Sequence, residues 1–123
     1  MPSRAQHLEQ ARGNREHARF LVGTHPTDRY ALQWAVTAAF YAAVHGVEAH
    51  LASMGQHSTD HLDRERRMRA PANRVPPAVY RAYNRLKNRS QGARYHLWTF
   101  TADEVERTII DRDLAVVARF AGL

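Results

Sequence analysis

The sequence contains no cysteine. A chain without thiols has no disulfide framework, no thiolate-bound metal and no cysteine nucleophile, which excludes several classes of enzyme. It also lacks the glycine-rich loop that cradles nucleotide phosphates and the strand-to-helix turn that presents a nucleophilic serine. We therefore do not expect nucleotide hydrolysis by those designs.

Long apolar runs are also missing, because charged or amide side chains interrupt every segment. A helix needs about 20 consecutive apolar residues to cross a bilayer. The stretch MPSRAQHLEQ has no apolar core behind its basic residue and does not resemble a signal peptide. We therefore expect a soluble, cytoplasmic protein with no membrane partner. A chain of 123 residues is the usual size for one domain, so a single domain over residues 1–123 is predicted.

Acidic residues are absent from a long internal window. No Asp or Glu occurs between Arg66 and Ala102, and the nine basic residues there give a local charge of +9, against +6 for the whole chain. A concentrated cationic surface attracts polyanions, so nucleic acid is the partner class to test first. The excess of arginine over lysine suits bidentate phosphate contacts, although codon bias also produces arginine-rich chains.

The spacing of the apolar residues predicts helices and no strands. Ser3 opens a capping box for a first helix that continues to Gly23. After a short connection, Asp28 caps a long second helix, predicted from about Arg29 to Met54 and ended by Gly55. Its first half is apolar nearly all round, so we expect it to be the central helix.

A short, highly charged third helix follows. Ser58 or Thr59 is expected to cap it, and it runs from Asp60 to about Ala70, where Pro71 ends it. It carries little apolar surface, so we count it apart from the main helices.

Two further main helices are predicted. Pro76 and Pro77 start the fourth, which keeps an inward apolar spacing as far as Leu97, although Gly92 weakens the prediction near its end. Thr101 opens a capping box for the last helix, which carries a wide apolar face as far as Phe120. The sequence therefore predicts an all-α fold, an antiparallel up-and-down bundle of four main helices plus one short helix.

Tyr41, His45 and Glu48 form a polar stripe on one side of the predicted second helix, at spacings of four and three. Burying such groups costs free energy unless they are paired. The stripe is either a hydrogen-bonded network in the core or part of a site whose basic component comes from the fourth helix. For Glu48 the predicted partner is Arg94 or Arg89.

A cationic ridge is predicted on the fourth helix, where Arg81, Arg85 and Arg89 recur every four residues. Such a ridge faces solvent or contacts phosphates, and the lack of nearby acids favours nucleic acid. Arg89 and His96 share a face if the helix continues through Gly92. A neutral histidine can take the proton from a ribose 2′-hydroxyl while a guanidinium stabilises charge on the phosphate, without a metal. The alternative is a surface arginine and a histidine at a helix end.

No metal site and no cofactor are predicted. His57 and His61 have the spacing of helical zinc ligands, but the residues between them begin a helix instead of continuing one. His61 is expected to pin the third helix or to face the same cleft as His45.

Three segments of the sequence together resemble the HEPN (higher eukaryotes and prokaryotes nucleotide-binding) domains, in their small, stand-alone bacterial type. The segments are FYAAVHGVEAHLASMG, HSTDHLDR and YRAYNRLKNRSQGARYH, and the resemblance covers roughly Trp34 to His96. One HEPN subgroup has an aromatic pair, a histidine and an acid on the second helix, a histidine opening the third, and a Ser, Arg, Tyr group on the fourth. The matching residues here are Phe40, Tyr41, His45, Glu48, His61, Ser90, Arg94 and Tyr95.

This resemblance implies a helical bundle that dimerises and binds or cleaves RNA. Many HEPN proteins are metal-independent ribonucleases of toxin or defence systems, and some pair with a nucleotidyltransferase-like antitoxin. Their active site is typically built across the dimer by an arginine followed, after about four to six residues, by a histidine. Arg89 and His96 have the longest such spacing, whereas Ser90 departs from the amide or acid that commonly follows the arginine.

The resulting prediction is a HEPN-like homodimer acting on RNA, with His96 as acid or base and Arg89 stabilising the transition state. Arg85, Arg94, Tyr95, His61 and the polar stripe would line the cleft. A second interpretation is a non-catalytic module that binds a nucleotide, nucleic acid or a cognate nucleotidyltransferase-like protein, because many relatives lack the nuclease pair. A third is a structural or regulatory bundle whose function is dimerisation.

Overall fold

The computed structural model describes all 123 residues, and every regular element in it is helical. The predicted all-α helical bundle is confirmed. None of the helices combines the length and the apolar character that a bilayer crossing requires. The elements in chain order are α1 (Arg4–Thr24), α2 (Arg29–Ser53), α3 (His61–Arg69), a 3₁₀ turn (Pro71–Asn73), α4 (Pro77–Tyr95), a π-helical segment (Glu104–Leu114) and α5 (Ala115–Ala121).

As predicted, α2 is the central helix, and it contacts α1, α4, the π-helical segment and α5. Large side chains such as Phe40, Val36 and Leu51 are fully buried along it. Each of them contributes about 1.5–3 kcal/mol through the removal of apolar surface from water. At Gly46 α5 approaches closely, since a Cβ there would lie 3.3 Å from the Cβ of Ala121. The small residues of α2 therefore allow its neighbours to pack close to its backbone.

Three of the predicted helix caps are confirmed. Ser3 and Gln6 form a reciprocal capping box at the start of α1. The Asp28 side chain accepts hydrogen bonds from the first backbone amides of α2. Thr101 and Glu104 exchange hydrogen bonds before the last helix. Each of these contacts satisfies amides that have no partner inside a helix.

The predicted cap of α3 is wrong by one or two residues. Asp60 is the cap, and its carboxylate accepts a hydrogen bond from the Asp63 amide at 2.7 Å. Asp63 in turn accepts one from the amide of Thr59 at 3.0 Å. An ionised acceptor at the positive end of a helix is stabilising, which favours Asp60 over the neighbouring hydroxyls of Ser58 and Thr59.

The end of α4 also differs from the prediction. The helix stops at Tyr95, and Leu97, expected to face inward, is exposed and has a φ of +57°. Trp98 then folds back over the helix, and its amide donates to the carbonyl of Gly92 at 3.0 Å. A Cβ on Gly92 would lie 2.0 Å from the indole. Gly92 is therefore a helical residue whose lack of a side chain makes room for Trp98.

The π-helical geometry of the last helix was not predicted. At its end the amide of Ala115 donates to the carbonyl of Ile110, five residues back. Asp113 faces inward in this segment beside Leu114, and its side chain is fully buried. An apolar stripe at regular α-helical spacing predicts no acid at that position. The segment thus brings a carboxylate into the side of the core that α4 faces.

Replacing Gly92 with alanine is expected to displace Trp98 and to lower the free energy of unfolding by about 1–3 kcal/mol, the usual cost of overpacking. Urea unfolding followed by circular dichroism measures this change. Gly13→Ala in α1 is the matched control, because a Cβ there meets no atom within 4 Å. Removal of a helical glycine should stabilise that variant by about 0.5–1 kcal/mol. Equal stability changes in the two variants would contradict the packing described for Trp98.

Candidate functional site

A buried ion pair joins α2 to α3. Arg64 donates from Nε to Glu48 Oε1 at 2.7 Å, and both side chains are almost completely buried. Arg64 Nη1 also donates to the hydroxyl of Tyr83 in α4 at 3.3 Å. The prediction that Arg94 or Arg89 pairs with Glu48 is therefore wrong. α3 carries little apolar surface, as predicted, and its two buried residues, Arg64 and Met68, attach it to the core.

This pair is charged at neutral pH. Burial raises the pKa of Glu48, but hydrogen bonds from Ser58 and Arg64, together with the Arg64 charge, lower it below its ordinary value. Burial raises the pKa of Tyr83, so its phenol stays neutral. Breaking such a pair by removing one partner typically costs about 3–5 kcal/mol, because the other charge stays buried. The network therefore fixes the position of α3.

His61, the first residue of α3, is fixed by the same network. Its Nδ1 lies 2.6 Å from Arg64 Nη1, and its ring packs against Phe40 and Tyr41, with centroids 5.7 and 6.3 Å away. A guanidinium only donates, so Nδ1 accepts and the proton of the neutral ring is on Nε2. Burial and the charges of Arg64 and Arg94 lower the pKa of His61. At neutral pH this exposed side chain therefore presents an Nε2–H donor.

Tyr41, Arg94 and Tyr95, all predicted site residues, come together beside His61. Arg94 donates from Nη1 to the hydroxyl of Tyr41 at 3.1 Å and from Nε to the carbonyl of Ser90 at 3.3 Å. Its guanidinium carbon lies 5.6 Å from the centre of the Tyr41 ring and 5.1 Å from that of Tyr95. These distances are typical of cation–π contacts. Arg94 is thus held between aromatic rings and has no carboxylate partner.

His45 has a partner that the sequence analysis missed. Its Nδ1 lies 3.1 Å from Nδ1 of His7 in α1, which is only 7% exposed. The pKa of His7 is lowered by burial, and that of His45 by burial and by the charges of His7 and Arg64. The spacing of four between His7 and the buried Ala11 could have placed this histidine on the inner face of α1.

Two adjoining clefts lie along α2. One, of about 380 Å³, opens between α1 and α2 and includes Tyr41 and His45. The other, of about 400 Å³, opens between α2 and α4 and includes Tyr30 and Arg94. Both are lined by Trp34, whose side chain is 62% exposed. We call the continuous surface formed by Tyr30, Trp34, Tyr41, Arg94 and Leu97 the aromatic groove.

The predicted cationic ridge is not a free row of charges. The buried carboxylate of Asp113 accepts from Arg85 at 2.9 Å and from Arg89 at 3.2 Å, and Arg112 contacts it as well. Of the ridge residues, Arg81 alone has no ion pair. The carboxylate comes from the last helix, outside the acid-free window. The local charge of +9 counted within the window is therefore larger than the charge that this surface leaves uncompensated. Arg85, predicted to line the cleft, is instead turned towards the π-helical segment.

His96 and Arg89 do not share an uninterrupted helix. His96 follows the last residue of α4 as its C-cap and is exposed, with its ring 6.3 Å from the Trp98 indole. Arg89 lies within the helix and contacts Asp113. α4 ends before His96 because the chain turns after Tyr95, where Trp98 folds back onto Gly92.

The chain was compared with protein-family models, with curated proteins and with solved structures, and no match was found. No group of three or more His, Cys, Asp or Glu side chains is arranged to hold a metal ion. The chemistry of the candidate site is that of the side chains in the aromatic groove and around His61.

Stability is expected to fall between about pH 7 and pH 5. A histidine with a lowered folded-state pKa binds its proton more readily in the unfolded chain. Its contribution to the free energy of unfolding is therefore complete above the unfolded pKa of about 6.5 and is lost as the pH falls towards the folded-state pKa. Each such histidine contributes a slope of at most about 1.4 kcal/mol per pH unit.

Thermal melts of the wild type and of His45→Gln at pH 7.5, 6.5 and 5.5 test this expectation. The melting temperature of His45→Gln should depend less on pH than that of the wild type. The exposed His17, on the same helix as His7, provides the control variant His17→Gln, whose melting temperature should change with pH as that of the wild type does. An unchanged slope in His45→Gln would show that the His7–His45 contact does not exclude the charged form.

Proposed function

We propose that this chain is a HEPN-like protein that acts on RNA and holds single-stranded segments in the aromatic groove. The observation that carries the proposal is the placement of exposed Tyr30 and Trp34 beside Arg94, a guanidinium without a carboxylate partner. Aromatic faces stack on unpaired bases, and arginines contact the phosphates between them. The groove offers both kinds of contact on one surface.

The distribution of ion pairs supports a polyanionic partner. Four of the nine basic residues in the acid-free window are paired with carboxylates that lie outside the window. The other five are free to attract phosphates and to release counterions on binding. They are Arg66, Arg69, Arg74, Arg81 and Arg94.

Homodimerisation, a cytoplasmic location and a role in toxin or defence systems belong to the same proposal and are supported by the HEPN resemblance. Leu97 and Trp98 add exposed apolar surface at the edge of the groove, which suits contact with a second protein chain. A nucleotidyltransferase-like antitoxin is the alternative protein partner for that surface.

In the catalytic form of the proposal, exposed His96 acts as acid or base on the ribose or leaving oxygen, and Arg89 stabilises charge on the phosphate. One observation favours the non-catalytic alternative: the charge of Arg89 is already compensated by Asp113. A guanidinium engaged with a buried carboxylate is less available to a phosphate. The alternative is a module that binds RNA or a nucleotide without cleaving it.

RNA binding is tested by fluorescence anisotropy with labelled single-stranded and duplex RNA. Trp34→Ala should weaken single-strand binding by roughly 5- to 150-fold, the value of one lost base stack of about 1–3 kcal/mol. The matched control is Phe20→Ala, which removes an exposed aromatic side chain that does not line the groove. Equal affinities for the wild type and Trp34→Ala would exclude the groove as the binding surface.

Cleavage is tested by incubating mixed RNA with purified protein in chelator. If the proposed pair is catalytic, His96→Ala and Arg89→Ala should each abolish the products formed by the wild type, because each removes a group that acts in the transition state. Melting temperatures of both variants report whether they fold. The same background in all three samples would leave the non-catalytic alternative.

A further inference from the structure

A cluster of hydrogen-bond donors surrounds Tyr41, one of the residues of the aromatic groove. We propose that His61 of α3, Tyr41 of α2 and Arg94 of α4 form a phosphate-binding site. Its ligand class is a phosphate group, carried by RNA or by a nucleotide. Assignment of that phosphate to RNA rests on the proposed function, whereas binding of phosphate itself does not.

The first donor is Arg94. Its Nη1 and Nε are engaged by Tyr41 and Ser90, and its Nη2 makes no hydrogen bond within the protein. Two directed contacts and two flanking rings hold the guanidinium in place while one edge stays free. Since no carboxylate lies within ion-pair distance, its charge is available to an anion.

The second and third donors follow from the bonds already made. The Tyr41 hydroxyl oxygen accepts from Arg94, which leaves the phenolic O–H free to donate. His61 accepts through Nδ1 from Arg64, which leaves the proton on Nε2. All three groups therefore offer donors, and none of them offers a charged acceptor. Such a set is complementary to an anion with several oxygens.

The buried pair of Glu48 and Arg64 gives His61 this role. Arg64 fixes the orientation of the imidazole and determines which of its nitrogens carries the proton. The Phe40 ring packs against the imidazole. Arg64 is thus a positioning residue that does not itself reach the phosphate. Without it the imidazole could turn Nδ1 outward and present an acceptor, which repels an anion.

Most of the charged side chains around the site are paired with one another. The charge of Arg64 is compensated by Glu48, and that of Lys87 by Glu65. Two further acids lie at the start of α3. Asp63 is paired with Arg67, and Asp60 accepts a helix amide. Arg94 is the charged member of the site that has no such partner.

The experiment is a titration of the labelled full chain with sodium phosphate, against sodium chloride at equal ionic strength, followed by ¹⁵N NMR of histidine and arginine side chains. Before phosphate is added, the His61 signals should show the Nε2–H form. Phosphate should then shift the His61 and Arg94 signals along one saturable curve, and chloride should not.

Arg94→Gln and His61→Phe should each weaken phosphate binding at least tenfold. Arg119→Gln, which removes an exposed arginine without an ion pair from α5, should leave it unchanged. Melting temperatures exclude loss of fold as the cause. Linear shifts without saturation, equal binding by Arg94→Gln, or an Nδ1–H form of His61 would each overturn the site.

Competition by a nucleoside monophosphate and by single-stranded RNA identifies the carrier of the phosphate. Displacement by RNA at lower concentration than by the mononucleotide supports an RNA phosphodiester, and the reverse order supports a nucleotide. Saturable phosphate binding without any RNA binding would overturn the proposed function and uphold the site. RNA binding that persists while phosphate never saturates would overturn the site and leave the proposed function standing.

Discussion

The ion pair between Glu48 and Arg64 is the contact on which the arrangement of the candidate site depends. α3 has few apolar side chains, so hydrophobic burial alone attaches it weakly to the bundle. A charged pair out of water is favourable only when its remaining hydrogen bonds are also made, and here Ser58, Tyr83 and His61 complete them. The pair therefore specifies one position for α3, and through it the orientation of His61.

Asp113 has a comparable role on the opposite side of α4. It collects Arg85 and Arg89 against the last helix, so part of the basic sequence is used inside the molecule. Arg94, nearer the end of the same helix, has aromatic neighbours instead and keeps its charge available. Arginines of one helix thus differ in their surroundings, because Arg85 and Arg89 face a carboxylate and Arg94 does not. Sequence charge alone does not distinguish them.

The helices, three of the caps and the central position of α2 were predictable, because they follow from local periodicity and capping chemistry. The polar stripe of Tyr41, His45 and Glu48 was recognised, but its partners were not. Those partners, Arg64 and His7, come from the helices on either side of α2 in the chain, and pairing between helices leaves no periodic signal. The π-helical segment and the turn after Tyr95 escaped prediction for a similar reason, since one places an acid inward and the other depends on Trp98 fitting over Gly92.

The contact between His7 and His45 has a consequence for proton transfer. Two neutral imidazoles that meet through their Nδ1 atoms share a single bridging proton, so the two rings are necessarily opposite tautomers. One ring then carries a bare Nε2 and the other an Nε2–H. Transfer of the bridging proton from one Nδ1 to the other, with proton exchange at the outer nitrogens, reverses these roles. The choice of donor ring therefore determines which hydrogen-bonding groups His7 and His45 present to the cleft that they both line between α1 and α2.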